Sequence, residues 1–207
     1  MLENSLTRGE KYMANIKTKI LTDQEYELII TTIRGGFTTK DGKQIKPNPR
    51  IATILTIMAN LGLRIGDVMK LRLSDIIRDG NRYRLDIKEE KTGKSREFTV
   101  PSEVFTFIQG YALEQGIRPN QRLFPITVRA VQKHLHCTTT QYLKLSGVST
   151  HSFRKYFATS IYQDNNYNIE LVRTLLQHSN SSITQRYLGV QLPEIEQALQ
   201  KHIKLPS

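Results

Sequence analysis

Seven residues in the chain combine types and spacings that could do chemistry on a phosphate ester: Arg64, Asp67, Lys91, His151, Arg154, His178 and Tyr187. Arg64 follows the helix-breaking Leu-Gly-Leu of LGLRIGDVMKL, and Asp67 stands three residues on. Lys91 sits beside the turn of KEEKTGKSREFTV. His151 and Arg154, in HSFR, are one turn apart on a predicted helix and so share a face. In LLQHSNSSITQRY, Tyr187 comes nine residues after His178. Planar guanidinium groups match the non-bridging oxygens of a phosphodiester bidentately. A phenol can form a covalent intermediate that keeps the bond energy, but its unperturbed pKa of about 10 requires a base and nearby positive charge. Imidazole is the natural proton acceptor at neutral pH.

Taken singly, each residue has an ordinary alternative. Arg64 could cap the preceding helix, His178 could sit at a helix C-terminus for the same dipolar reason, and Tyr187 is one of nine tyrosines. Lys91 could be a solvated hairpin lysine, with Lys94 a close rival in KTGK. His151 could serve only to start its helix, and Arg154 could be a surface base. An ordered coincidence of all of them is harder to explain that way.

Read in order, these segments resemble the boxes of the tyrosine recombinases, the phage integrase family: a G-L-R-x-x-E/D arginine box, a β-hairpin lysine, an H-x-x-R box and an L-x-H-x8-Y region. The match runs from about residue 22 to the end. The resemblance implies site-specific recombination, by breaking and rejoining DNA through a 3′-phosphotyrosine with a free 5′-hydroxyl, without metal or high-energy cofactor. Arg64 and Arg154 would hold the phosphate, Tyr187 would attack and His151 would take its proton. Lys91 would protonate the 5′-oxygen, His178 would support the transition state and Asp67 would assist. It also implies double-stranded DNA as partner, a monomer free in solution, a tetramer on DNA and an accessory protein setting direction. A type IB topoisomerase-like enzyme and a non-catalytic DNA-binding protein are the competing readings.

Composition agrees with a polyanionic partner. Thirty Lys and Arg against nineteen Asp and Glu give a net charge of +11, which favours phosphate neutralisation and counterion release. Between Gln115 and Gln163 there is no acidic residue, while Arg118, Arg122, Arg129, Lys133, Lys144, Arg154 and Lys155 all fall there. His134, His136 and Cys137 lack the spacing of a zinc site, and no Asp/Glu cluster suggests two-metal chemistry. The N-terminus lacks a secretory signal, no apolar run approaches the roughly 18 residues of a membrane span, and the lone Cys137 fits a reducing compartment. A cytoplasmic protein, nucleoid-associated when on DNA, is expected.

The elements that must position these residues follow from periodicity. Thr22 with Glu25 predicts a capped helix through Arg34, stopped by Gly35-Gly36, and Thr38 to Pro49 reads as a polar loop with three lysines suited to DNA contact or simple insertion. Asn48-Pro49 opens a second helix with Ile51, Ile54, Leu55, Met58 and Leu61 on one face. Gly62 ends it, and a short helix spans Ile65 to Leu71. Strands are predicted at Ser74–Ile77, Arg82–Lys88 and Arg96–Val100, with turns at Asp79-Gly80 and Thr92-Gly93. Helices follow from Ser102 to Glu114, Thr127 to Leu145, Ser149 to Gln163, Asn168 to Gln177, Ser181 to Leu188 and Pro193 to Ile203, the last with an apolar stripe suited to its own domain or a neighbouring protomer. The expected fold is mainly α with a small three-stranded antiparallel sheet. Residues 1–20 read as a flexible basic arm and 21–207 as the catalytic domain, without the separate N-terminal DNA-binding domain that the resemblance would bring.

Overall fold

The first helix begins where its capping signal places it. In the computed structural model, which describes residues 18–88, 93 and 95–188, the Thr22 hydroxyl accepts from the Glu25 amide at 3.2 Å and the Glu25 carboxylate accepts from the Thr22 amide at 3.2 Å. These bonds satisfy amides that the helix itself leaves unpaired. Helix α1 (Asp23–Gly35) buries Ile29, Ile30 and Ile33. The polar stretch after it, read as a loop, contains a two-residue ladder: β1 (Phe37–Thr38) pairs antiparallel with β2 (Gln44–Ile45). Strands this short and polar leave no alternation to read. The Phe37 ring stacks on Tyr142 at 4.4 Å, which ties the ladder to the domain.

Helix α2 (Pro49–Leu61) starts on the Asn48 side chain, which accepts from the Ile51 amide at 3.0 Å, with proline in the first turn where its missing donor does no harm. It is buried on most of its circumference, and it packs against α1, the sheet-side helix α4 (Ser102–Glu114) and α6 (Thr150–Asp164). Between α2 and the sheet lies α3 (Ile65–Val68), shorter than the predicted Ile65–Leu71. The three-stranded sheet has the order β3 (Ile76–Asp79), β4 (Arg82–Lys88), β5 (Ser95–Val100), antiparallel throughout. Ile76 faces Leu85, Leu85 faces Phe98 and Tyr83 faces Val100, which puts Ile76, Leu85 and Val100 into the core. Tyr83 stacks on Phe105 of α4 at 3.8 Å and fastens the sheet down. Lys88 pairs with Ser95 at the open end; Lys91 and its rival Lys94 lie outside the described residues.

The long helix predicted over Thr127–Leu145 is two pieces. Helix α5 (Val128–His136) is α-helical, and Cys137–Tyr142 widens into a π turn. The cause is the threonine run. Thr138 and Thr139 donate their hydroxyls back to the His134 and Leu135 carbonyls at 3.0 and 2.9 Å, competing with the backbone ladder. Helices α6, α7 (Ile169–Leu176) and α8 (Ser181–Leu188) complete the described chain; the helix expected at Pro193–Ile203 and most of the arm expected over 1–20 lie outside it. One large core runs from Leu21 to Phe153. A second, small cluster of Ala158, Val172, Leu176 and Leu188 joins α6, α7 and α8, with Tyr187 packed at its margin. The mainly helical fold with a small antiparallel sheet is as expected. Among the described residues no helix is long and apolar enough to cross a membrane.

Candidate active site

The site begins at the end of α2. Gly62 terminates that helix with φ +56°, and a Cβ there would lie 2.3 and 2.5 Å from Cδ1 and Cε1 of Phe157. Only glycine allows this turn and this approach to α6 together. The close approach puts the Gly62 carbonyl within reach of Arg154, whose Nη1 donates to it. Arg154 Nη2 donates to the Leu176 carbonyl, the last of α7, at 2.9 Å. One guanidinium therefore caps two helix C-termini, where unpaired carbonyls carry partial negative charge. That pairing makes its burial, to 2% exposure, tolerable.

Two residues beyond Gly62, Arg64 is the N-cap of α3 in extended conformation, half-buried, with its carbonyl accepting from the Asp67 and Val68 amides at 3.0 Å each. Asp67, on the same short helix, is buried, at 5% exposure. His151 stands exposed in the first turn of α6, one turn before Arg154.

The remaining side chains come from the α7–α8 connection. Gln177 ends α7 in the left-handed region, φ 53° and ψ 38°. That turn lets the His178 amide bond back to the Arg173 carbonyl at 3.0 Å. The Gln177 side-chain amide donates to the Ser95 carbonyl at 2.9 Å, tying the start of β5 to the residue before His178. His178 Nδ1 lies 3.1 Å from the Thr184 hydroxyl in the first turn of α8. Its ring meets Tyr187 edge-on, centroids 5.2 Å apart at 76°. The Tyr187 hydroxyl is buried beside the Arg154 guanidinium, though not in a well-aligned hydrogen bond. Burial pushes the phenol above its ordinary pKa, and the charges of Arg154 and Arg64 oppose that rise. The structure thus brings Arg154 and the His178 ring against Tyr187, with Arg64 close enough for its charge to act on the phenol, and sets His151 one turn before Arg154 on α6.

A model of the phage integrase family matches residues 19–192 of the chain. The chain belongs to the phage integrase family. Among curated relatives of this integrase-family chain, tyrosine recombinase XerC of Caldanaerobacter subterraneus subsp. tengcongensis is 28% identical over 195 residues, 88% of this chain and 50% of that protein. The probable integrase/recombinase YoeC of Bacillus subtilis is 29% identical over 171 residues, 78% of this chain and 91% of YoeC. The chain therefore spans about half the length of the XerC relative and most of YoeC. Among solved structures, XerH site-specific recombinase bound to palindromic difH substrate superposes with a TM-score of 0.62 at 18% identity, covering 89% of this chain and 53% of XerH.

Three residues of this integrase-family site escape a reading by motif. Thr184, fully buried, orients His178. Gln177 carries the turn, in a conformation for which glycine or asparagine would have been the signal. Lys155 is buried beside Arg154, with its Nζ 5.6 Å from the centre of the Tyr187 ring. The sequence offered only its place in an acid-free basic stretch.

Proposed function

We propose that this chain is the catalytic domain of a site-specific DNA recombinase that breaks and rejoins double-stranded DNA through Tyr187. The observation that carries the reading is the Tyr187 hydroxyl lying beside Arg154 and within the field of Arg64, in a chain of this family. Arg64 and Arg154 hold the non-bridging oxygens of the scissile phosphate and stabilise the charge that grows on them, from positions set by helix ends before substrate arrives. Arg154 is directed by its two carbonyl acceptors, and Asp67 supports the short helix that presents Arg64. Tyr187 attacks phosphorus. Burial keeps its phenol protonated at rest, so its proton passes to His151 as the P–O bond forms. The bond to the 5′-oxygen breaks, Lys91 protonates that oxygen, and a 3′-phosphotyrosine with a free 5′-hydroxyl results. His178, held by Thr184, donates to the phosphate in the transition state. The phosphotyrosine conserves the bond for religation, so no high-energy cofactor is needed, and Arg64 and Arg154 supply the charge stabilisation that a metal would otherwise give.

DNA as partner is supported by the +11 charge and by α5, whose exposed face carries Arg129, Lys133 and His136 in the acid-free stretch. It is supported too by the XerH relative's capture with its DNA substrate. The assembly proposed is a monomer in solution and a tetramer on two duplexes, acting in the cytoplasm on the nucleoid, with an accessory protein setting direction. Residues 21–207 form the catalytic domain and the preceding residues a basic arm.

The test is a duplex nicked near the cleavage site, so that the released fragment diffuses away and covalent protein accumulates. Wild-type protein is expected to give an adduct that survives denaturing electrophoresis, and Tyr187→Phe none, with DNA binding nearly unchanged. A Tyr187→Phe protein that still forms the adduct refutes the nucleophile and turns attention to Tyr162 and Tyr167.

A further inference from the structure

Lysine is among the residues least often buried, yet Lys155 is only 8% exposed. Its ammonium donates to the Thr18 carbonyl at 3.1 Å and stands 5.6 Å from the centre of the Tyr187 ring, within the roughly 6 Å over which a cation is attracted to an aromatic face. The segment that supplies Thr18 is itself tied down. The Lys19 amide donates to the Gly147 carbonyl at 2.9 Å, Leu21 is buried, and Asp23 accepts from the Tyr156 hydroxyl at 2.8 Å. A methionine would fill the same space without taking a charge out of water, so packing alone does not account for a lysine.

We propose that Lys155 is a positioning residue for Tyr187, its ammonium held by the Thr18 carbonyl against the ring so that the phenol is kept in place and its anion is favoured. The inference rests on the reading of Tyr187 as nucleophile. Among the described residues, the charged and titratable groups that face Tyr187 are Arg64 from the start of α3, Arg154 and Lys155 from α6, and His178 from the α7–α8 turn. In the proposed chemistry both arginines are engaged by the phosphate, whose negative charge offsets theirs just when the phenol must ionise. Lys155 is anchored to the protein's own backbone and buried. Among the described residues it is a cation placed to go on favouring the phenolate after substrate binds. The chain entering the domain at Thr18 is thereby joined to the nucleophile through one ammonium.

The test compares Lys155→Met, which keeps length without charge, with Lys155→Arg, which keeps the charge. Two readouts are taken on the full chain. One is the pH profile of single-turnover adduct formation on the nicked duplex. The other is the ultraviolet titration of Tyr187 without DNA, obtained by subtracting the Tyr187→Phe protein, in a chain with no tryptophan. Lys155→Met is expected to form adduct about tenfold more slowly near neutral pH, to recover as pH rises, and to titrate about one pH unit higher; one unit corresponds to a tenfold change in ionised fraction. Lys155→Arg should stay within about threefold of wild type in the same assays, a bound set well inside that tenfold step. A Lys155→Met titration and pH profile superposable on wild type overturn the proposal. So does a rate lost equally at every pH and not restored by arginine, which marks a structural role. If Lys155→Met does not fold, Lys155→Gln replaces it and the same outcomes decide. The DNA-free titration separates this inference from the nucleophile reading: adduct persisting in Tyr187→Phe removes the reading, whereas an unshifted titration removes the inference alone.

Discussion

Alanine at position 62 would meet two obstacles at once. The backbone there has φ +56°, where a Cβ crowds the following carbonyl at a cost of about 1–2 kcal/mol. The new methyl would also lie 2.3 Å from Cδ1 of Phe157, so the ring or α6 itself must move, and such overpacking costs about 1–3 kcal/mol. Together Gly62→Ala should lose about 2–5 kcal/mol, a large share of the roughly 5–15 kcal/mol that holds a domain folded. With a urea slope of about 2 kcal/mol per molar, mid-range for small domains, the unfolding midpoint should fall by about 1–2.5 M. The two contributions can be separated. In a Phe157→Ala background the clash is gone, and Gly62→Ala should then cost only the backbone part, about 1–2 kcal/mol; the difference is the coupling between the two positions. Equal costs in both backgrounds, or a loss below about 0.5 kcal/mol in the first, which is the range of ordinary surface changes, would refute the argument. The variant should also lose adduct formation under conditions where it remains folded, because the displaced carbonyl is one of the two that aim Arg154.

Other outcomes follow from single contacts. Gln177→Ala should destabilise the fold by about 1 kcal/mol through loss of the bond to Ser95, and Gln177→Gly should be more stable than Gln177→Ala by about 1 kcal/mol, since only glycine is at ease in that turn; the reverse order in urea unfolding would contradict the left-handed assignment. Burial and the Asp23 carboxylate push the Tyr156 phenol up to about 12, so the folded protein keeps a proton that the unfolded chain releases near pH 10. Stability should therefore fall as pH rises from about 10 to 12, and Tyr156→Phe should make that decline shallower in urea midpoints across this range; an unchanged slope would show that the Asp23 contact does not persist in solution. Adduct formation should persist in excess chelator, because the proposed charge stabilisers are Arg64 and Arg154; loss on chelation with recovery in magnesium would refute metal-free cleavage.

Much of this molecule is legible from the chain because its signals are local. The Thr22–Glu25 box, the Asn48-Pro49 start and the Gly62 stop each state their own geometry, and the helices they bound appear within a residue or two of where periodicity puts them. The ordered boxes point to the family by themselves. What the chain conceals is decided across distance. That Arg154 is a core residue bonded to two helix ends depends on α2 and α7 arriving together, which no property of HSFR announces. The break at Cys137 depends on threonine hydroxyls outbidding amides within an otherwise helical pattern. Gln177, Thr184 and Lys155 matter only through partners elsewhere: Ser95 far upstream, His178 six residues back, and the Thr18 carbonyl with the Tyr187 ring.

The double cap made by Arg154 has a bearing on the safety of the reaction. A protein with the proposed activity would be a hazard while it is still being made, since a chain released with its helices unassembled could, if its cutting groups worked alone, nick DNA at random. Here the guanidinium proposed to grip the scissile phosphate donates to the ends of both α2 and α7, so its orientation draws on both ends having docked against α6. On the proposed mechanism, cleavage then waits on the docking of those two helix ends, an interlock written into the hydrogen bonding of a single side chain.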